Sequence, residues 1–225
     1  EVSRALLKNE AFLAEEREAP ASCCASFRPG TVDYTPHQDT IHTLITAMQR
    51  KKVCRVAYRS LTSGTDKTHY IQSLKLFSRG DTIYVHARKA REPGKACEEP
   101  EYDPLLAVHR IREIGIEERS FEFPGGYDFE EIFQKTFGII KDESFQAEVE
   151  FEGWAAKFVA ERMWSPDQEI TDAGEGKIRL TFTASSEPEV VGWVLSFGEK
   201  AKVLGPVWLV KAVKGKIGQM LNRYS

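Results

Sequence analysis

Residues 81–88 alternate in character. Ile83, Val85 and Ala87 are apolar, and Tyr84, His86 and Arg88 between them are polar. A period of two predicts a half-buried strand with one face on a core and the other turned outward. Ser78-Arg79-Gly80-Asp81 supplies a turn before it, and Ile71–Phe77 reads as the partner strand of a hairpin. Val53–Ser60 alternates in the same way, with a turn at Thr62-Ser63-Gly64-Thr65 leading to a strand from Thr68 to Phe77. A polar insertion, Arg91 to Pro104, precedes Leu105–Val108, His109-Arg110-Ile111 and Glu113–Glu117. Five short strands with tight turns suggest a small barrel.

Helical spacing frames these strands. Residues 1–19 read as one helix rich in Ala, Leu and Glu, which Pro20 stops. Residues 20–35 form a linker of Pro, Ser, Cys and Gly. Pro36 then opens a second helix, with Thr35 as its expected cap. Its apolar stripe is Ile41, Leu44, Ile45 and Met48, and Arg50-Lys51-Lys52 close it where the helix dipole favours cations.

Pro124-Gly125-Gly126 marks a boundary, followed by a short helix, Asp128–Phe137, that Gly138 ends. Phe145–Phe151 is a strand with Ala147, Val149 and Phe151 inward and Glu148, Glu150 and Glu152 outward. A helix, Trp154–Trp164, and two strands, Gln168–Thr171 and Lys177–Thr183, come next. Ser186-Glu187-Pro188-Glu189 has the form of a capping box and starts a helix running to Phe197. A strand at Ala201–Leu204 and a helix from Val207 to Tyr224 finish the chain. The order βαββαβ plus a helix is the ferredoxin-like pattern, so the class is α+β. Trp154, Trp164 and Trp193 read as core or interface residues.

Composition narrows the function. The chain has 225 residues, 41% of them hydrophobic and 29% charged, enough to build cores in one or two domains. No run approaches the ~20 apolar residues of a membrane span, and the first residues form no secretory signal. Cys23, Cys24, Cys54 and Cys97 form no CxxC pair, which points away from zinc or a disulfide framework and toward a reducing cytoplasm. His37 and His42 lack the spacing of a metal pair and read as surface residues. The net charge of −3 excludes the strongly basic balance of a dedicated nucleic-acid binder, so any anion site must be a local patch. No phosphate loop, HExxH or GxSxG is present, and no acid–base pair stands out, so a non-enzymatic role without cofactor or metal is expected. Glu1 falls inside the first helical pattern, which suggests that further sequence precedes it.

Two stretches together carry a family resemblance. Ile83-Tyr84-Val85 followed by His109-Arg110-Ile111-Arg112 resembles the WYL domain of bacterial transcription regulators. Only Tyr84 matches the naming Trp-Tyr-Leu triplet strictly. Arg55–Ser60 is similar to that family's first barrel strand. Val159–Gln168 and Trp193–Gly198 resemble the extension that follows WYL domains, and this second half is the more specific match. The resemblance covers residues 36–224. It implies an Sm-like or SH3-like barrel at 36–123, a connector at 124–143 and a ferredoxin-like extension at 144–225, with 1–35 a helix and linker to a DNA-binding domain.

The resemblance also implies a site and a role. His86, Arg88, Arg110 and His69 can donate to phosphate, with Arg doing so in bidentate fashion. Tyr58 and Tyr84 can stack on a base, and Ser60 can donate to phosphate or sugar. The match is firmest for Tyr58, His86 and Arg110. The alternative for each cation is an ordinary surface charge, and for Tyr84 a place in the core. The expected function is the ligand-sensing and dimerisation region of a cytoplasmic transcription regulator. Single-stranded DNA or a nucleotide would be its effector, and promoter DNA would be held by a winged helix-turn-helix outside this chain. The alternative is a stand-alone nucleic-acid or nucleotide-binding module that regulates a partner protein. A homodimer through the C-terminal domain is expected from the tryptophans and the apolar stripe of the last helix.

Overall fold

The computed structural model describes residues 30–61, 64–94, 103–133, 137–140 and 143–225. The helix expected over 1–19, most of the linker after it, and Cys23, Cys24 and Cys97 lie outside these residues. The chain divides into two compact units, one ending at Tyr127 and the other beginning at Asp128.

In the first unit a short 3-10 turn, Thr35–His37, leads into helix α1, Gln38–Gln49. Thr35 does not cap this helix. Its backbone N–H donates instead to the Asp33 carboxylate at 2.8 Å, so Asp33 organises the entry. Strands β1 (Lys52–Arg59), β2 (Asp66–Arg79), β3 (Thr82–Lys89), β4 (Leu105–Ala107) and β5 (Ile111–Ser120) form one antiparallel sheet in the order β4-β3-β2-β1-β5. His109 and Arg110, expected in a strand, belong to a 3-10 turn between β4 and β5. Among the described residues no ladder joins β4 to β5, so the expected barrel is not closed by hydrogen bonds.

Strand β2 carries the architecture. Its 14 residues pair with β1 through Asp66–Ile71 and with β3 through Ile71–Arg79. The register slips between Ser73 and Lys75, leaving Leu74 as an extra residue of a bulge. A bulge bends a strand and increases its twist, which lets one long strand serve two ladders.

The sheet has a core on each face. Cys54, Val56, Ile71, Val85 and Ala87 pack with Leu44 and Ala47 of α1 on one side. Val53, Leu74, Ala90 and Phe121 pack with Tyr70 and Tyr127 on the other. The Cys54 thiol is pushed up to about 11, chiefly by burial, and stays protonated at neutral pH.

The second unit begins with α2, Phe129–Phe133. The helix was expected to run through Phe137, but Phe137 instead bridges to Ala184. Next come β6 (Phe145–Glu152), α3 (Trp154–Ala160), β7 (Glu169–Gly174), β8 (Lys177–Ala184), α4 (Glu187–Leu195), β9 (Ala201–Gly205) and α5 (Val207–Leu221). The sheet order β7-β8-β6-β9, all antiparallel, is the ferredoxin-like arrangement. Ala147, Val149 and Phe151 are fully buried, as their alternation requires. Burial of Val149 and of Phe151 contributes about 1.5–3 kcal/mol each. Trp164 and Trp193 pack against this core, whereas Trp154 and Trp208 are exposed.

Candidate ligand site on the first sheet

On the α1 side, the apolar core gives way to polar groups toward the β1–β2 turn. In β1 the face that buries Cys54 and Val56 next presents Tyr58. In β2 the face that buries Ile71 next presents His69 and then Lys67, with Val56 opposite His69 and Tyr58 opposite Lys67. The Tyr58 and His69 rings meet edge to face, with centroids 6.3 Å apart. Lys89 stands opposite Ile71 at the end of β3, on the face that carries Val85 and Ala87. Ser60 closes the β1–β2 turn through its backbone, accepting from Gly64 N–H at 3.0 Å.

This end of the sheet is cationic. Burial lowers the His69 pKa first, and the ammonium groups of Lys89 and Lys67 lower it further. Neither lysine forms an ion pair among the described residues. His69 is therefore neutral at pH 7, and the two lysines supply the charge. An anion with a planar group has cations and an aromatic edge available here.

The site continues along one backbone segment. The Tyr58 hydroxyl accepts from Ala107 N–H at 3.3 Å. Ala107 leads into the turn that carries His109 and Arg110. Tyr34 reaches the same turn from before α1. Its hydroxyl accepts from Ile83 N–H at 2.6 Å and lies 3.5 Å from His109 Nδ1. Tyr34 and Tyr58 both pack against the α1-side core.

The opposite face holds the other expected residues, and there the outward reading of His86 is overturned. His86 is 3% exposed, stacked on Tyr127 at 5.6 Å, with Nδ1 2.8 Å from the Tyr127 hydroxyl. Burial lowers its pKa, so it is a neutral packed residue. Arg88 is exposed but lies 3.6 Å from Asp103. Tyr84 stacks on Phe77 at 5.7 Å. A second core covers this face, and a period of two cannot distinguish one buried face from two. The seven expected residues thus separate: Tyr58, Ser60 and His69 toward one end of the α1 side, Tyr84, His86 and Arg88 on the other face, and Arg110 in the turn. Lys67 and Lys89 were missed, although they share parity with His69 and Ala87. Tyr34 and Tyr127 were missed because coil residues have no period to follow.

Two family models match this chain. The WYL domain model matches residues 39–116 and the WCX domain model residues 143–221. The chain thus carries a WYL domain followed by a WCX domain. No curated protein sequence matches it significantly. Proteasome accessory factor B/C (PafBC) of Arthrobacter aurescens is similar at 16% identity and TM-score 0.39, over 94% of this chain and 31% of that one. A crystal structure of a CRISPR Cas-related protein is similar at 13% identity and TM-score 0.54, over 84% of this chain and 52% of that one. The chain therefore spans less than two thirds of either neighbour, and the second likeness shows the fold alone. Among the described residues no helix is long and apolar enough to cross a membrane.

Proposed function

We propose that this chain is the ligand-sensing and dimerisation region of a cytoplasmic transcription regulator. It acts by binding, not by catalysis. Its effector is a single-stranded nucleic acid or a nucleotide, taken up at the Tyr58–His69 end of the WYL domain. The observation that carries this reading is the placing of Lys67 and Lys89 beside His69 and Tyr58. Two ammonium groups held near an aromatic pair match the two chemistries of a nucleotide, phosphate and base. Arg110 and Ser60 extend the polar surface along the chain. Duplex promoter DNA is then bound by a domain outside these residues, and assembly uses the C-terminal domain.

Fluorescence anisotropy with labelled short single-stranded DNA tests the proposal. Binding is expected to weaken as salt rises, because each phosphate contact releases counterions. Lys67→Ala with Lys89→Ala should weaken binding and flatten the salt slope by about 2, while Arg88→Ala, already beside Asp103, should change little. Lack of binding by every oligonucleotide and nucleotide tried, or equal binding by the double variant, would sink it.

A further inference from the structure

We propose that His37, His109 and Arg110 form a phosphate subsite that faces Tyr34 and strengthens as pH falls. It rests on the nucleotide reading above for its ligand class, but not for its geometry.

Two separate segments meet there. His37 ends the turn before α1, and His109 and Arg110 belong to the turn between β4 and β5. Tyr34 stands between them, its ring edge-on to His37 at 6.0 Å and to His109 at 6.2 Å. Its hydroxyl is fixed by Ile83 N–H, and burial raises its pKa, so it remains a neutral hydroxyl. The cluster is half-buried, as are all four side chains.

The electrostatics leave this cluster short of negative charge. The carboxylates that act on it are Asp33, on His37, and Asp81, on Tyr34. Asp33 is held by Thr35, whose backbone N–H it accepts. Among the described residues no ion pair joins His37, His109 or Arg110 to a carboxylate. Burial lowers the His109 pKa first, and then Arg110 and His37 lower it. His109 is consequently neutral at pH 7. A phosphate beside Arg110 reverses the local sign, so His109 takes up a proton as the anion binds. Binding then tightens with acidity by up to about tenfold per pH unit for one proton taken up.

Histidine ring NMR on the whole chain reads this directly. Inorganic phosphate is added across pH 5.5–8, with signals assigned through His37→Gln and His109→Gln. Phosphate should move the His109 titration to higher pH and shift the His37 ring signals, while the exposed His42 serves as control. An unmoved His109, or equal shifts at His42, overturns the subsite. A second arm compares 5′-phosphorylated with unphosphorylated oligonucleotide. The phosphorylated form should gain at pH 6 relative to pH 8, and His109→Gln should abolish the gain. A pH-independent oligonucleotide affinity with static histidine signals removes the subsite and leaves the proposed function. Phosphate-shifted histidines with no oligonucleotide binding keep the subsite and remove the proposed function.

Discussion

The Nδ1 atom of His86 lies 2.8 Å from the Tyr127 hydroxyl, with the two rings stacked. The phenol is pushed up to about 12 by burial and by Asp103, so it stays protonated and can donate to a neutral imidazole. Tyr127 is the last residue of the first unit. The contact therefore ties the start of the connector to the interior of β3.

One consequence is acid sensitivity. His86, His69 and His109 all have folded pKa values below 6.5, chiefly through burial. The unfolded chain then binds more protons than the folded one as pH drops. Their stabilising contribution is present above about 6.5 and is lost as pH falls through the folded values. Urea midpoints should fall between pH 7.5 and 5.5, and His86→Leu should reduce that fall. A midpoint equal or higher at pH 5.5 would contradict this account.

Tyr127→Phe removes the hydroxyl and keeps the stacked ring. It should destabilise the first unit by about 1 kcal/mol, the usual net value of one hydrogen bond. The Phe121 and Val53 contacts of that core remain. Denaturant unfolding of the purified variant measures this, and an unchanged midpoint would show the hydrogen bond to be immaterial.

In the second unit, the Glu189 carboxylate accepts from Ile139 N–H and Ile140 N–H, both at 3.0 Å. Gly138 beside it has φ 94°, and a Cβ there would meet the Glu189 carboxylate. Gly138→Ala should therefore cost more than the ~1–2 kcal/mol of a left-handed residue. Glu189→Ala should cost about 1.5–3 kcal/mol, as for bonds to a charged group. Thermal unfolding ranks the two variants, and full stability in either would refute the role given to Glu189.

The proposed assembly has its own test. Val207, Ile217 and Leu221 of α5 are 70%, 50% and 65% exposed. Ile217→Lys combined with Leu221→Lys should convert a dimer to a monomer in light scattering at micromolar concentration, with circular dichroism unchanged. A monomeric parent chain, or a dimer that survives both changes, would take α5 out of assembly.

Much of this fold follows from local pattern. The alternation at 145–151 names Ala147, Val149 and Phe151 as core, and all three are fully buried. Ser186 was legible as a helix cap, and its hydroxyl does accept from Glu189 N–H at 3.4 Å. The other half of that capping box is different, because the Glu189 carboxylate accepts from the Ile139 and Ile140 amides. A local motif names the donor groups within reach along a helix. It does not name those that a distant segment brings.

The site divides in the same way. The sequence by itself determined two α+β units, the order of their elements, and the aromatic and basic residue types of the first sheet. It also placed Tyr58 and His69 on strands, because side-chain period is a property of the backbone. Tertiary structure decided which face was a site. It buried His86 under Tyr127, gave Arg88 to Asp103, and set Lys67 and Lys89 beside His69. A strand's period has only two phases, so it sorts residues into two faces without saying what covers either. That depends on how a bulge at Leu74 turns one long strand and on which coil residues fold back across it, and those contacts join positions far apart in the chain.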